Sequence, residues 1–177
     1  RDRETGDEEG TNAVINDADV VATEEMYYHR THPCPLEPCG SVASMDKVNG
    51  KLTLYGTFQA PHVVRTVASL LSGIEEHKIR VVSPDIGGGF GNKVGVYPGY
   101  VCSIVASIVT GVPVKWVEDR MENLMSTAFA RDYWMKGKIS ATKEGKITGL
   151  HCLVTADHGA FDACADPTKF PAGFMNI

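Results

Sequence analysis

The 177 residues are 43% hydrophobic and 22% charged, ordinary globular proportions with enough apolar surface for a core, which excludes disordered and fibrous classes. The formal net charge is -5, yet residues 1–25 hold nine Asp/Glu against two Arg, while the remainder is near neutral with thirteen acids against fifteen bases. A body without a basic stripe cannot neutralise a run of phosphates, so nucleic acid is excluded as a partner.

In chain order, residues 1–19 are polar and acidic and are expected to be a linker or surface segment, leaving 20–177 as the folded part. Residues 20–28 suggest a strand. Thr31-His32-Pro33-Cys34-Pro35-Leu36-Glu37-Pro38-Cys39-Gly40 follows, and its three prolines exclude regular structure. Residues 51–58 alternate as a strand does after the turn signal Asn49-Gly50, with Gln59 at the strand's end. A helix is expected next, with Pro61 in its first turn and Gly73 as its stop. Val63, Val64, Val67, Leu70 and Leu71 would form its buried face, opposite His62, Arg65, Thr66, Ser69 and Ser72.

A strand at 79–83 leads into Asp85-Ile86-Gly87-Gly88-Gly89-Phe90-Gly91-Asn92-Lys93 and then an apolar helix at 98–110. Gly99, Ser103 and Ser107, four apart, give that helix a face for close packing. Gly111 and Pro113 end it before a strand at 112–117, and 134–142 with 147–156 read as a hairpin. Two strand–helix units and a further strand imply α+β, mixed α/β architecture. The longest apolar run, at 100–109, is about half of the ~20 residues of a membrane span.

Five cysteines, Cys34, Cys39, Cys102, Cys152 and Cys164, make an odd count without the proportions of a small disulfide scaffold, so a reducing cytoplasm is expected. The first residue is Arg1, and the chain stops inside the apolar Phe174-Met175-Asn176-Ile177, which suggests an internal piece of a longer polypeptide.

Four glycines in five residues after a strand let backbone approach a ligand closely and turn N–H groups toward anionic oxygens. The run is neither a dinucleotide fingerprint, since Asn92 stands where a third glycine belongs, nor a P-loop, since Val94 follows Lys93. A plain tight turn is the alternative. Gln59 occupies the carboxyl end of a strand, where open α/β sheets place ligands, although an exposed helix cap also suits it. His29, His32, Cys34 and Cys39 are competent zinc ligands at poor spacing, and His32 and Glu37 are better suited to holding the loop by hydrogen bonds. Asp157-His158 invites a hydrolase reading, but no G-x-S-x-G elbow exists.

Several phrases together resemble one family: His29-Arg30-Thr31-His32-Pro33-Cys34-Pro35-Leu36-Glu37, Gly56-Thr57-Phe58-Gln59-Ala60-Pro61-His62, residues 84–93, Pro113-Val114-Lys115-Trp116-Val117-Glu118-Asp119-Arg120, and residues 156–167. They are similar to the large, molybdenum-binding chain of aerobic carbon monoxide dehydrogenases, and the Gly-Gly-Gly-Phe-Gly loop resembles that of the wider xanthine oxidase superfamily. The resemblance implies that 20–177 is part of a molybdopterin-binding domain. It further implies that the amide of Gln59 lies beside the oxo group of molybdenum, without ligating metal, and that Gly88, Gly89, Phe90 and Gly91 lie against the cofactor. That cofactor would be molybdopterin cytosine dinucleotide.

By the same resemblance the whole enzyme would oxidise carbon monoxide with water to carbon dioxide, passing electrons to a 2Fe-2S small subunit and an FAD-binding medium subunit. A dimer of heterotrimers, in the cytoplasm and associated with the inner face of the cell membrane, would follow. The family's copper-binding cysteine lies in a Tyr-Arg-Cys-Ser-Phe-Arg loop and its glutamate near the metal in a Gly-Val-Gly-Glu-Ser-Pro phrase. This sequence contains neither, so no metal ligand is expected in it and the part alone should be inactive. A hydroxylase of aldehydes or N-heterocycles and a non-catalytic scaffold are the competing readings.

Overall fold

The computed structural model describes residues 4–130 and 132–157. Its elements are α1 (Glu8–Asn16), β1 (Val20–Tyr28), β2 (Gly40–Asp46), β3 (Lys51–Gly56), α2 (Pro61–Ser72), β4 (Ile79–Val82), α3 (Pro98–Thr110), β5 (Val114–Val117), α4 (Arg120–Ser126), β6 (Tyr133–Ala141) and β7 (Ile147–Ala156), with a single 3-10 turn at Glu76–Lys78. Helix and sheet are mixed, as the sequence implies. Two units form: one from the segments either side of the Thr31–Ala130 stretch, the other Thr31–Ala130 itself.

The Thr31–Ala130 unit is built on a four-stranded sheet in the order β4-β3-β2-β5. β2 pairs antiparallel with β3 and β5, and β3 runs parallel to β4. The tight turn between β2 and β3 is held by Asp46, whose carboxylate accepts from the Val48 N–H (2.9 Å) and the Asn49 N–H (3.2 Å), while Gly50 takes the positive φ of 64°. Parallel strands need a crossover, and α2 supplies it. Pro61 fits its first turn, and Gly73 ends it in the left-handed region at φ 72°.

α3 shows why small residues recur at every fourth position. A side chain at Gly99 would stand 2.5 Å from Cδ2 of Trp116, Ser103 Oγ meets Ser41 Oγ at 2.9 Å, and Ser107 Oγ accepts the Met45 N–H at 2.9 Å. The helix thus lies close on β2 and β5. Leu52, Leu54, Phe58, Val64, Ala68, Ile79, Tyr100 and Ile104 form the core between sheet and helices, with Phe58 edge-on to Tyr100 and Tyr100 edge-on to Trp116.

Several expectations need correction. The strand beginning at Lys51 stops at Gly56, because the Phe58 ring folds back over that glycine, where a Cβ would lie 2.6 Å from Cε2. Gln59 therefore sits in the loop before α2 and not on the strand. In α2 the buried line is Val64 and Ala68, whereas Leu70 is 80% exposed and Val63 and Leu71 are also exposed. Only the narrow line with the small Ala68 faces the sheet. The sequence pattern does not signal β2 or α4: β2 holds the small residues Gly40, Ser41, Ala43 and Ser44, while α4 carries a legible capping box in Asp119 and Glu122.

The other unit is an antiparallel sheet in the order β1-β6-β7, matching the expected strand and hairpin. Its leading segment, expected as a linker or surface segment, lies largely at the surface and carries a helix. Glu8–Asn16 is helical, capped by Asp7, whose Oδ1 accepts the Gly10 N–H at 2.9 Å. Ile15 is buried over β7, where Gly149 leaves it room. Asp132, at φ 83°, ties the sheet end together through Tyr27 and through Arg30 (Nε to Oδ2 2.8 Å). No helix among the described residues is long and apolar enough to cross a membrane. His158, Cys164 and Asp166 lie outside the described residues.

Candidate functional site

The glycine loop leaves β4 and returns to α3, and its conformation explains its glycines one by one. Gly88 and Gly91 have φ of 93° and 89°, where a Cβ is disfavoured. Gly89 does not. Its constraint is contact, since a Cβ there would lie 2.5 Å from Gln59 Oε1 and 2.7 Å from Gln59 Cγ. Phe90 adopts φ 52° without being glycine and holds its ring 72% exposed, a strained conformation of the kind that accumulates at functional sites.

Gln59 meets this loop directly. Its Oε1 accepts the N–H of Gly91 and the N–H of Lys93, both at 3.0 Å, and its own N–H donates to Lys93 O at 3.0 Å. Two backbone donors on the oxygen fix which way the amide points. The NH2 end is then the one directed away from those contacts, on an exposed residue. Gln59 and the glycine loop are thus brought together.

Both ends of the loop are anchored. Glu37 Oε2 accepts the Gly87 N–H at 2.8 Å and pairs with Lys93 Nζ at 2.8 Å, and the Glu37 N–H donates to Gly87 O at 3.3 Å. Burial pushes the Glu37 carboxyl up, but the Lys93 ammonium and the Gly87 N–H outweigh it and hold the pKa below its ordinary value. Glu37 stays in place because Arg120, at the start of α4, donates from Nη2 to Pro35 O (2.5 Å) and Leu36 O (2.9 Å). Between the anchors, the N–H groups of Gly88, Gly89 and Phe90 meet no hydrogen-bond acceptor among the described residues. Phe90 is exposed, Gly88 half-buried and Gly89 buried, and adjacent backbone donors in such a glycine turn are suited to cradle an anionic or metal-held oxygen.

Behind the loop lies a buried polar network that sequence reasoning missed. Asn92 Nδ2 donates to Thr127 Oγ1 (2.7 Å) and Ala128 O (3.3 Å), and its Oδ1 accepts from Asn123 Nδ2 at 3.2 Å. Asn123 also donates to Glu118 Oε1, which accepts the Cys39 N–H at 2.6 Å. Glu118 is only 3% exposed. Burial pushes the Cys39 thiol up to about 12, assisted by the Glu118 carboxylate, so this cysteine is inert. The only sequence signal for the network was the capping box that places Asn123 on α4.

His32 Nδ1 accepts the Cys34 N–H at 3.0 Å, which leaves Nε2 as the protonated nitrogen of a neutral ring, facing Asn123 O (3.0 Å) and Thr127 Oγ1 (2.9 Å). His32 and Glu37 hold the Pro-rich loop, as expected. No group of three metal-competent side chains converges among the described residues, and Cys39 and His32 are committed to separate partners.

A family described as the molybdopterin cofactor-binding domain matches residues 2–177. The chain belongs to this family. Over 98% of its length it is 69% identical to the carbon monoxide dehydrogenase large chain of Afipia carboxidovorans. It is 38% identical to the nicotine 6-hydroxylase large subunit of Paenarthrobacter nicotinovorans over 84% of its length, covering 18% of that protein. A solved Cu,Mo-CO dehydrogenase in its carbon-monoxide-reduced state superposes with a TM-score of 0.84 at 69% identity, covering 97% of this chain and 22% of that one. This molybdopterin cofactor-binding chain spans about 22% of the length of the carbon monoxide dehydrogenase large chain it matches. The residues present fit a molybdenum cofactor: a strained glycine cradle whose N–H groups meet no acceptor among the described residues, beside an amide whose donors point away from its own contacts.

Proposed function

We propose that this chain supplies the glycine-loop wall of the molybdenum site in the large subunit of an aerobic carbon monoxide dehydrogenase. The observation that carries the reading is the 69% identity together with a Gln59 oriented by the loop it faces. The cofactor would be molybdopterin cytosine dinucleotide, with a copper ion ligated by a cysteine outside this chain. When bound, it supplies the two-electron redox couple for converting carbon monoxide and water into carbon dioxide, two protons and two electrons.

The roles proposed for this chain's residues rest on the family resemblance, with the loop's geometry in support. Gly88, Gly89 and Phe90 offer backbone N–H groups to the cofactor, and Gly91 sets the turn that presents them. Gln59 would offer its amide N–H to the oxo group of molybdenum, and such a donor would stabilise negative charge there. The electrons would pass to a 2Fe-2S small subunit and an FAD-binding medium subunit, in a dimer of heterotrimers. The location proposed is the cytoplasm, at the inner face of the cell membrane.

The test is metal analysis and carbon-monoxide-dependent dye reduction by the full-length protein. Molybdenum and copper with carbon monoxide oxidation support the reading. Molybdenum with turnover of an N-heterocycle alone would move the chain to the hydroxylases, a reading favoured by its 38% identity to nicotine 6-hydroxylase. Absence of molybdenum would leave a scaffold role.

A further inference from the structure

The glycine loop is gripped at both ends by one ion pair, buried on its Lys93 side and partly exposed on its Glu37 side. Lys93 has no exposed side-chain surface and its Nζ lies 2.8 Å from Glu37 Oε2, the same oxygen that accepts the Gly87 N–H at 2.8 Å. Gly87 permits this closeness, since a Cβ there would stand 2.6 Å from Glu37 Cβ. One carboxylate oxygen therefore joins Gly87, the first glycine of the loop, to Lys93, two residues past Gly91, its last. The three N–H groups that meet no acceptor among the described residues lie in the span between.

We propose that Glu37 and Lys93 are a positioning pair for the cofactor, fixing the span of the glycine loop so that the N–H groups of Gly88, Gly89 and Phe90 are preset for its oxygens. The proposal rests on the molybdenum reading above. Its physical basis is preorganisation: donors held in place before the ligand arrives need no reordering when it binds. The pair is itself held by Arg120 through the carbonyls of Pro35 and Leu36, so its geometry traces back to the first residue of α4.

The pair is asymmetric, and that makes the test specific. Removing the carboxylate leaves a fully buried ammonium alone, whereas removing the ammonium leaves a Glu37 side chain that is 40% exposed and reachable by water. In the full-length holoenzyme, molybdenum per folded polypeptide after dialysis and the thermal midpoint would be measured for Glu37→Gln, Lys93→Met and the double variant. Glu37→Gln should retain on the order of tenfold less molybdenum, the size of loss seen when partners outside the ligand sphere are removed. Lys93→Met should lose less, and the double variant should recover to the level of Lys93→Met.

A lowered midpoint with molybdenum fully retained in every variant would show a merely structural pair and overturn the proposal. Equal molybdenum loss in all three would overturn it too, because the asymmetry would be absent. A wild-type protein without molybdenum would overturn the cofactor reading itself, and with it this proposal. A loaded wild type with equally loaded variants removes the positioning pair alone.

Discussion

Gln59 has two ends with separate duties, and substitutions can separate them. Glu keeps an oxygen for the Gly91 and Lys93 N–H groups but replaces the outward donor with negative charge, whereas Met abandons both, at a cost of about 1–3 kcal/mol for the Lys93 N–H if it stays dry and less for the exposed Gly91 N–H, which water can reach. Gln59→Glu in the full-length enzyme should keep its molybdenum yet lose about 10–100-fold in turnover per metal. Gln59→Met should lose molybdenum first. Metal content alongside steady-state oxidation reads the difference, and identical behaviour of the two variants would refute the division. Gly89→Val probes the neighbouring contact: φ at Gly89 is not positive, so the damage comes from displacing the Gln59 side chain. Cofactor occupancy should fall while the thermal midpoint barely moves. A drop in the midpoint alone would reduce the loop to a turn.

At the scale of elements, α4 is short but consequential, because its cap fixes both Arg120 and Asn123. Asp119 accepts the Glu122 N–H at 2.8 Å and Glu122 returns to the Asp119 N–H at 2.8 Å. Asp119→Ala should destabilise the chain by about 1 kcal/mol in urea unfolding, and no measurable change would contradict that role. Strong periodicity and terminal signals made α2, α3 and the β6–β7 hairpin legible, because Pro and Gly mark their ends. β2 escaped because Gly40, Ser41, Ala43 and Ser44 have weak strand preference and are held there by pairing and by α3. The buried face of α2 was misjudged because hydrophobicity alone does not reveal which neighbours are present. The exposed Val63, Leu70 and Leu71 belong to a chain spanning about a fifth of its relatives' length. The site was half legible: Gln59 and the glycines carry local signals, while Glu37, Lys93 and Asn92 act through partners distant in sequence.

For the whole molecule, acid should loosen the Thr31–Ala130 unit through Glu37. Its folded pKa is lowered, so its contribution is full above the unfolded carboxyl value of 4.5 and fades as pH falls through the folded value. The stability gap between wild type and Glu37→Gln should therefore be wide at neutral pH and shrink on acidification. A gap constant with pH would mean that the ion pair contributes nothing. The same unit has another property. Thr31 and Ala130 exchange both backbone hydrogen bonds, at 2.9 and 2.8 Å, so the chain returns to the place it left. Gln59, Glu37, Arg120 and the glycine loop all fall between those two residues. A stretch so clasped enters and leaves the rest of the chain at one point, like a loop drawn closed at its neck.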